Sequence, residues 1–268
     1  MTVNKLPPLR IAHLYPALLN VAGDGGNVMA VANRAQWRGL RTETVPVGLN
    51  ETPDFTDFDM VFFQGGQDVE MLVAADDLLY KATSLKDAAE AGVIMLAVCA
   101  GMQLFGHRYV SGSGEEIPGI GVLDLETRAG DTRFMQHAAC DVTVDGTTAT
   151  VVGFENHSGC TTLGAAAEPF GTVVAGAGNN GTDGLEGARQ QNVFGTYLHG
   201  PVLPKNPWLA DVLAKIAWER KVGRSVELSP LDDSVERRAH HTALSLARQH
   251  VGQTTVLKAA QLARGLSE

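Results

Sequence analysis

Cysteine is scarce in this sequence: the 268 residues hold three, Cys99, Cys140 and Cys160, none spaced CxxC from another. An odd count without that spacing indicates neither a disulfide framework nor a cysteine zinc site, and suits a reducing cytoplasm; no metal is expected. Basic residues are also in deficit. Against 30 Asp and Glu stand 21 Lys and Arg, a formal net charge of −9, which disfavours binding of nucleic acid by phosphate neutralisation. Long apolar runs are missing. The longest, VIMLAVCA (93–100), is strand-sized, so no membrane-spanning segment is expected, and residues 1–10 lack the apolar stretch of a secretory signal. Aromatic residues make up 6%, and the 30 glycines and 11 prolines are scattered rather than blocked, which favours tight turns over disorder. Repeats and low-complexity tracts are absent, and no GxxxxGK[ST] loop occurs. The AGDGGN stretch (22–27) has neither the lysine nor the spacing for nucleotide phosphates.

What is present is alternation. Over the first two hundred residues short β-rich runs take turns with helical patterns, predicting an α/β fold with a mainly parallel sheet flanked by helices. Strands are expected at 9–14 (LRIAHL), 42–47 (TETVPV), 60–63 (MVFF) and 93–98 (VIMLAV), and a helix at 27–38 closed by Gly39. From 119 to 152 strands separated by turns, with Asp145-Gly146 as a hairpin turn, predict an antiparallel excursion off the main sheet. A strand at 192–197 (NVFGTY) follows, ending at Leu198-His199-Gly200, and an amphipathic helix begins after Pro207. The tail from 225 to 268 opens with a helix-start signal at Ser229-Pro230 and reads as one or two further helices. The division is therefore a domain over 9–218 and a C-terminal helical extension over 225–268.

The chemistry concentrates in VIMLAVCAGMQLFG (93–106). A buried-type strand runs into Cys99, small residues follow, and a helix begins: the outline of a nucleophile elbow, in which the turn presents the thiol and the helix N-terminus offers N–H groups to an oxyanion. A buried core cysteine is the competing reading. A nucleophilic thiol needs a base, and His199 lies just past another strand, on the same edge of the sheet. The other seven histidines lack that placement. Gly65 and Gly66, after MVFF, could turn their N–H groups towards the thiol, although most Gly-Gly pairs are plain turns.

In order and separation, QGGQD (64–68), VCAGMQLFG (98–106) and GTYLHGP (195–201) resemble the class I glutamine amidotransferases, of flavodoxin-like fold, and within them the CobB/CobQ-like branch. The resemblance covers about 9–218. The segments LYPALLNVAGDGGN (14–27), VLDLETRAGDTRF (122–134) and GFENHSG (153–159) are most similar to GatD-type glutaminase subunits, which work with a Mur-ligase-like partner, MurT. The resemblance implies that Cys99 attacks the side-chain amide of L-glutamine, that His199 shuttles the proton, and that Ala100 with Gly65 or Gly66 forms the oxyanion hole. Arg133, with Arg128 second, would hold the substrate α-carboxylate. Ammonia would pass to the partner in a heterodimer, where the D-glutamate α-carboxyl of the lipid II stem peptide becomes D-isoglutamine. No cofactor is expected in this chain, with ATP and Mg left to the partner.

One departure stands out. Many class I members carry Glu two residues after the histidine, where this chain has Pro201. Either Asp24 orients the imidazole or the partner supplies an acid across the interface; the second is preferred here, because it would keep the free subunit quiet. Asn156 and His157 either line the glutamine pocket or serve a turn. The alternatives are a corrinoid-directed (cobyric or cobyrinic acid) amidotransferase, a catalytically quiet regulatory subunit, and a cysteine hydrolase on the same architecture.

Overall fold

The computed structural model describes residues 6–20 and 22–249, with the backbone of 256–258. In chain order the first half contains β1 (Leu9–Leu14), α1 (Gly26–Trp37), β2 (Thr42–Val47), β3 (Met60–Phe63), α2 (Asp68–Glu90), β4 (Ile94–Val98), α3 (Ala100–Phe105), β5 (Arg108–Val110) and β6 (Glu116–Pro118). Then come β7 (Leu125–Val144), β8 (Thr147–Leu163), β9 (Gly171–Ala175), β10 (Leu185–Glu186), β11 (Ala188–Gln190), β12 (Val193–Thr196), β13 (Leu198–His199), α4 (Val202–Lys205), α5 (Pro207–Val222), α6 (Ser234–Gln249) and β14 (Val256–Lys258).

One sheet runs β11-β12-β4-β3-β1-β2, parallel throughout except for β11 at its edge. Its central strands are wholly apolar runs because both faces are covered. Leu14, Phe63 and Met95 pack with α2 and α3, whereas Ile11, Phe62 and Leu96 pack with α1 and α5. Helix α1 buries Val28, Val31 and Ala35 at helical spacing and stops at Arg38, after which Gly39 takes φ +70°.

Helix α2, 23 residues long, is an element for which the sequence reading has no counterpart. Met71, Ala74 and Leu78 face inward while Val69, Leu72, Val73, Leu79 and Tyr80 face outward. With both faces apolar the 3.6-residue period is blurred.

The excursion expected between 119 and 152 is larger in the structure, a second sheet of eight strands among the described residues. Its spine is the β7–β8 hairpin, closed by Asp145 and Gly146, both at positive φ, as a two-residue turn with the strands' own twist requires. The 192–197 strand also differs from expectation. Strand β12 pairs with β4 in the first sheet, but the chain then changes sheets, and β13, which carries His199, pairs with β8.

The tail helix starts at Ser234 rather than at Ser229-Pro230. The Ser229 carbonyl accepts from Arg38 Nε at 2.6 Å, and Asp233 is ion-paired to Arg34 at 2.7 Å; these contacts hold the segment extended against α1 until Asp233 is passed. Helix α6 then lays Ala243 and Ala247 on Ala139, Val152 and Ala175 of the second sheet. Part of the predicted helical tail, 250–255 and 259–268, lies outside the described residues, and 256–258 is a strand beside β7 rather than helix.

Candidate active site

Strand β4 is buried along its whole length and ends at Cys99, which adopts φ +51° and ψ −108°. A non-glycine residue there stores strain, and the surroundings impose it. The Cys99 N–H still donates to the Thr196 carbonyl of β12 at 2.8 Å, while its carbonyl already accepts from Gln103 N–H of α3. Gly101 permits this sharp entry into α3, since a Cβ there would sit 2.5 Å from the Phe63 carbonyl oxygen. Ala100 opens α3, so its N–H has no acceptor within the helix.

His199 reaches the thiol from the second sheet. It is buried, its Nδ1 lies 2.8 Å from Asp24 Oδ2, and its Cε1 and the Cys99 Cβ both lie against Gly65, which puts the ring beside the thiol. With Nδ1 committed to the carboxylate, Nε2 is the nitrogen available to sulfur. Burial by itself would depress the His199 pKa, but the charges and hydrogen bonds of Cys99 and Asp24 outweigh it and raise the value to about 10. The imidazolium is thus favoured at neutral pH.

The GDGGN stretch explains the missing glutamate. Asp24 is fully buried and also accepts the Gly200 N–H at 3.3 Å. A Cβ on Gly26 would fall 2.5 Å from Pro201 Cγ, and Asn27 Oδ1 accepts the Leu203 N–H at 2.8 Å. The loop is a clasp on the chain after His199, with Pro201 filling the notch that Gly26 leaves. Of the two candidates for the orienting acid, Asp24 of this chain is the one that lies at His199 Nδ1.

Gly65 sits at the centre of the site. A side chain there would place Cβ 2.8 Å from His199 Cε1 and 3.3 Å from Cys99 Cβ, and on Gly66 it would collide with Leu19 Cδ2 at 2.2 Å. Among the described residues neither glycine N–H donates a hydrogen bond, so both remain open to an oxyanion, as does that of Ala100.

The two arginines are separated by the structure. Arg133 lies within the irregularity of β7 between Ala129 and Phe134, and its Nε donates to Asn156 Oδ1 at 2.8 Å; its charge adds to the lowering of the His157 pKa. Arg128 is exposed, next to a Thr127 that points inward to Thr161. Alternation along the strand turns Arg128 outward, and it is not brought to the thiol. Asn156 and His157 lie on β8, which removes the turn reading. The His157 ring stacks on Tyr197 with centroids 3.6 Å apart and planes 7° apart, and Nδ1 bonds the Gly159 carbonyl at 2.9 Å. Burial holds its pKa down at about 3, so the ring is neutral, and the buried Nε2 has no hydrogen-bond partner.

Two contributors escape the sequence reading. Tyr197 Oη bonds Thr161 Oγ1 at 2.7 Å and Gln103 Nε2 at 3.1 Å, tying the elbow helix to the second sheet. Glu186 Oε1 accepts the Tyr197 N–H at 2.7 Å and the Thr196 hydroxyl at 3.0 Å, so it holds the strand where it changes sheets. Its burial pushes its pKa up to about 7. A tyrosine and a glutamine inside the two motifs could have signalled the first; nothing in LEGARQ signals the second.

The CobB/CobQ-like glutamine amidotransferase domain model matches residues 10–207. This chain belongs to that family. It is 38% identical over 228 residues, 84% of this chain and 86% of the relative, to the subunit GatD of the lipid II isoglutaminyl synthase (glutamine-hydrolyzing) of Streptococcus pneumoniae. To the GatD subunit of Staphylococcus aureus it is 36% identical over 245 residues, 90% and 97% of the two chains. The fold resembles PurLQS from Thermotoga maritima, with a TM-score of 0.52 at 16% identity, covering 81% of this chain and 98% of that one. Among the described residues, no helix of this CobB/CobQ-like amidotransferase is long and apolar enough to cross a membrane, and no group of three or more His, Cys, Asp or Glu could hold a metal ion.

Proposed function

We propose that the chain is the glutaminase subunit of a lipid II isoglutaminyl synthase and acts in the cytoplasm with a MurT-like ligase subunit of the Mur family. The observation that carries the catalytic part is the row Cys99–His199–Asp24, with the imidazole beside the thiol and bonded to the carboxylate, next to the open N–H groups of Gly65, Gly66 and Ala100. Cys99 attacks the glutamine δ-carbonyl, and charge moves to an oxygen held by those N–H groups, each worth about 3 kcal/mol. His199 returns a proton to the departing ammonia, water enters in its place, and the γ-glutamyl thioester is hydrolysed to glutamate. Asp24 keeps the imidazole in the tautomer that can do this. Arg133, through its Nη nitrogens, takes the substrate α-carboxylate.

Similarity to GatD subunits over most of both chains supports lipid II as the acceptor and a ligase partner as its site. ATP and Mg belong to that partner, which converts the D-glutamate α-carboxyl of the stem peptide to D-isoglutamine. The test is release of glutamate and ammonia from L-glutamine with and without the Mur-ligase-like subunit. Native protein is expected to produce both, and to amidate lipid II only in the complex; Cys99→Ala is expected to do neither, while a complex given ammonium salt still amidates. Glutaminase activity in Cys99→Ala overturns the assignment of the nucleophile.

A further inference from the structure

The outer face of α2 has the wrong composition for solvent. Val69, Leu72, Val73, Leu79 and Tyr80 are all exposed there, Val69 by 71% and Tyr80 by 81%, interrupted by Asp76. Their spacing puts them on one side of the helix. The inner side is already filled, so this is a second apolar face rather than a misdirected core. Soluble monomers rarely leave such a continuous patch open. Past Thr83 the same side turns charged, with Lys86 and Glu90.

The patch has a position as well as a composition. Val69 is four residues beyond Gly65, whose missing Cβ faces both His199 and Cys99. It therefore begins close in the chain to the loop beside the thiol, at the edge of the sheet where β3 and β4 end. A body seated there and reaching past the N-terminal end of α2 would cover the thiol. Ammonia that escapes into neutral water is protonated and lost as a nucleophile, so the protein that consumes it must cover the site. The apolar stretch nearer the thiol in the chain and the charged stretch beyond it fit a lid over one end of α2.

We propose that the outer face of α2 from Val69 to Tyr80 is the seat of the ammonia-consuming ligase subunit. This rests on the partner reading given above. The ligase would bring an apolar surface with a cation opposite Asp76, which makes no ion pair among the described residues. Met29 and Trp37 are also exposed apolar residues, but they belong to α1 on the other face of the sheet, and they supply the control.

The test titrates the full chain with the Mur-ligase-family subunit by calorimetry and sedimentation, for native protein, Leu72→Asp, Tyr80→Ser, Asp76→Lys and Trp37→Asp. Unfolding midpoints and alkylation of Cys99 show that each variant keeps its fold and site. Leu72→Asp and Tyr80→Ser are expected to weaken the complex at least tenfold, Asp76→Lys severalfold with a smaller salt dependence, and Trp37→Asp less than twofold. Patch variants that bind like native protein, a Trp37→Asp loss larger than theirs, or loss of a homodimer in place of the heterocomplex would each overturn the assignment. A native chain that does not bind the ligase overturns the partner reading as well.

Discussion

Replacing Asp24 by Asn keeps the shape of the side chain and removes its charge. The carboxylate is fully buried 2.8 Å from His199 Nδ1, with Gly200 N–H on its other oxygen, and an amide can preserve the second contact. The first changes character, because an amide nitrogen turned to Nδ1 favours the wrong tautomer. The displacement of the His199 pKa from 6.5 to about 10 corresponds to about 5 kcal/mol in favour of the imidazolium. Burial opposes it, and Cys99 and Asp24 supply it together. Asp24→Asn removes one of the two contributions, so it lowers the His199 pKa and reduces kcat/KM for glutamine, by up to about ten-thousandfold where the tautomer is lost as well. The assay is glutamate release across pH 6–10, with the rate of Cys99 alkylation by iodoacetamide over the same range, for the subunit alone and in its complex. The alkaline limb controlled by His199 is expected to move to lower pH in both. An Asp24→Asn protein with native turnover in the complex would refute the reasoning and return the role to an acid from the partner.

Replacing Arg133 with Met is expected to raise KM for glutamine by roughly a hundredfold with a smaller change in kcat, since a charge-assisted pair contributes about 1.5–3 kcal/mol; Arg128→Met is expected to leave both constants unchanged, and steady-state kinetics distinguish the two. Glu186→Gln is expected to remove a pH dependence of stability. The folded protein holds the Glu186 proton to about pH 7 because of burial, whereas the unfolded chain releases it near 4.5. The contribution is therefore complete below pH 4.5 and fades as pH rises to 7, a loss of about 3 kcal/mol. Urea unfolding at pH 4.5 and 8 should show the native protein losing that amount and Glu186→Gln, which can keep the contacts made through Oε1, losing much less.

The parallel sheet was legible because each central strand is a solid apolar run that ends in a turn signal, and the β4-to-Cys99 junction carries its own punctuation in Ala100 and Gly101. His199 was legible as a partner for the thiol, although the route by which it arrives was not. Period-two alternation cannot say that β12 and β13 belong to different sheets, because the change is made by Glu186, a buried carboxylate whose local sequence looks like a surface turn. Asp24 was legible as one of two candidates for the orienting acid, but the choice between them was not, since the contact with His199 and the fit of Gly26 against Pro201 join segments 175 positions apart in the chain. Helix α2 was hidden by the feature that gives it interest, an apolar outer face that cancels the amphipathic signal. Arg128 and Arg133 are near neighbours in sequence, and a register shift in β7 between Ala129 and Phe134 keeps simple alternation from saying which of them faces the site.

The change of sheets after Thr196 places the nucleophile and its base on separate scaffolds. Cys99 moves with β4, and His199 moves with β8 and the helix α6 that packs on the same sheet. A slight slide of one sheet past the other changes the sulfur-to-imidazole distance while neither residue leaves its own strand. The site is thus built across a seam, and the bonds of Tyr197 to Gln103 and Thr161 are what pin its two sides together.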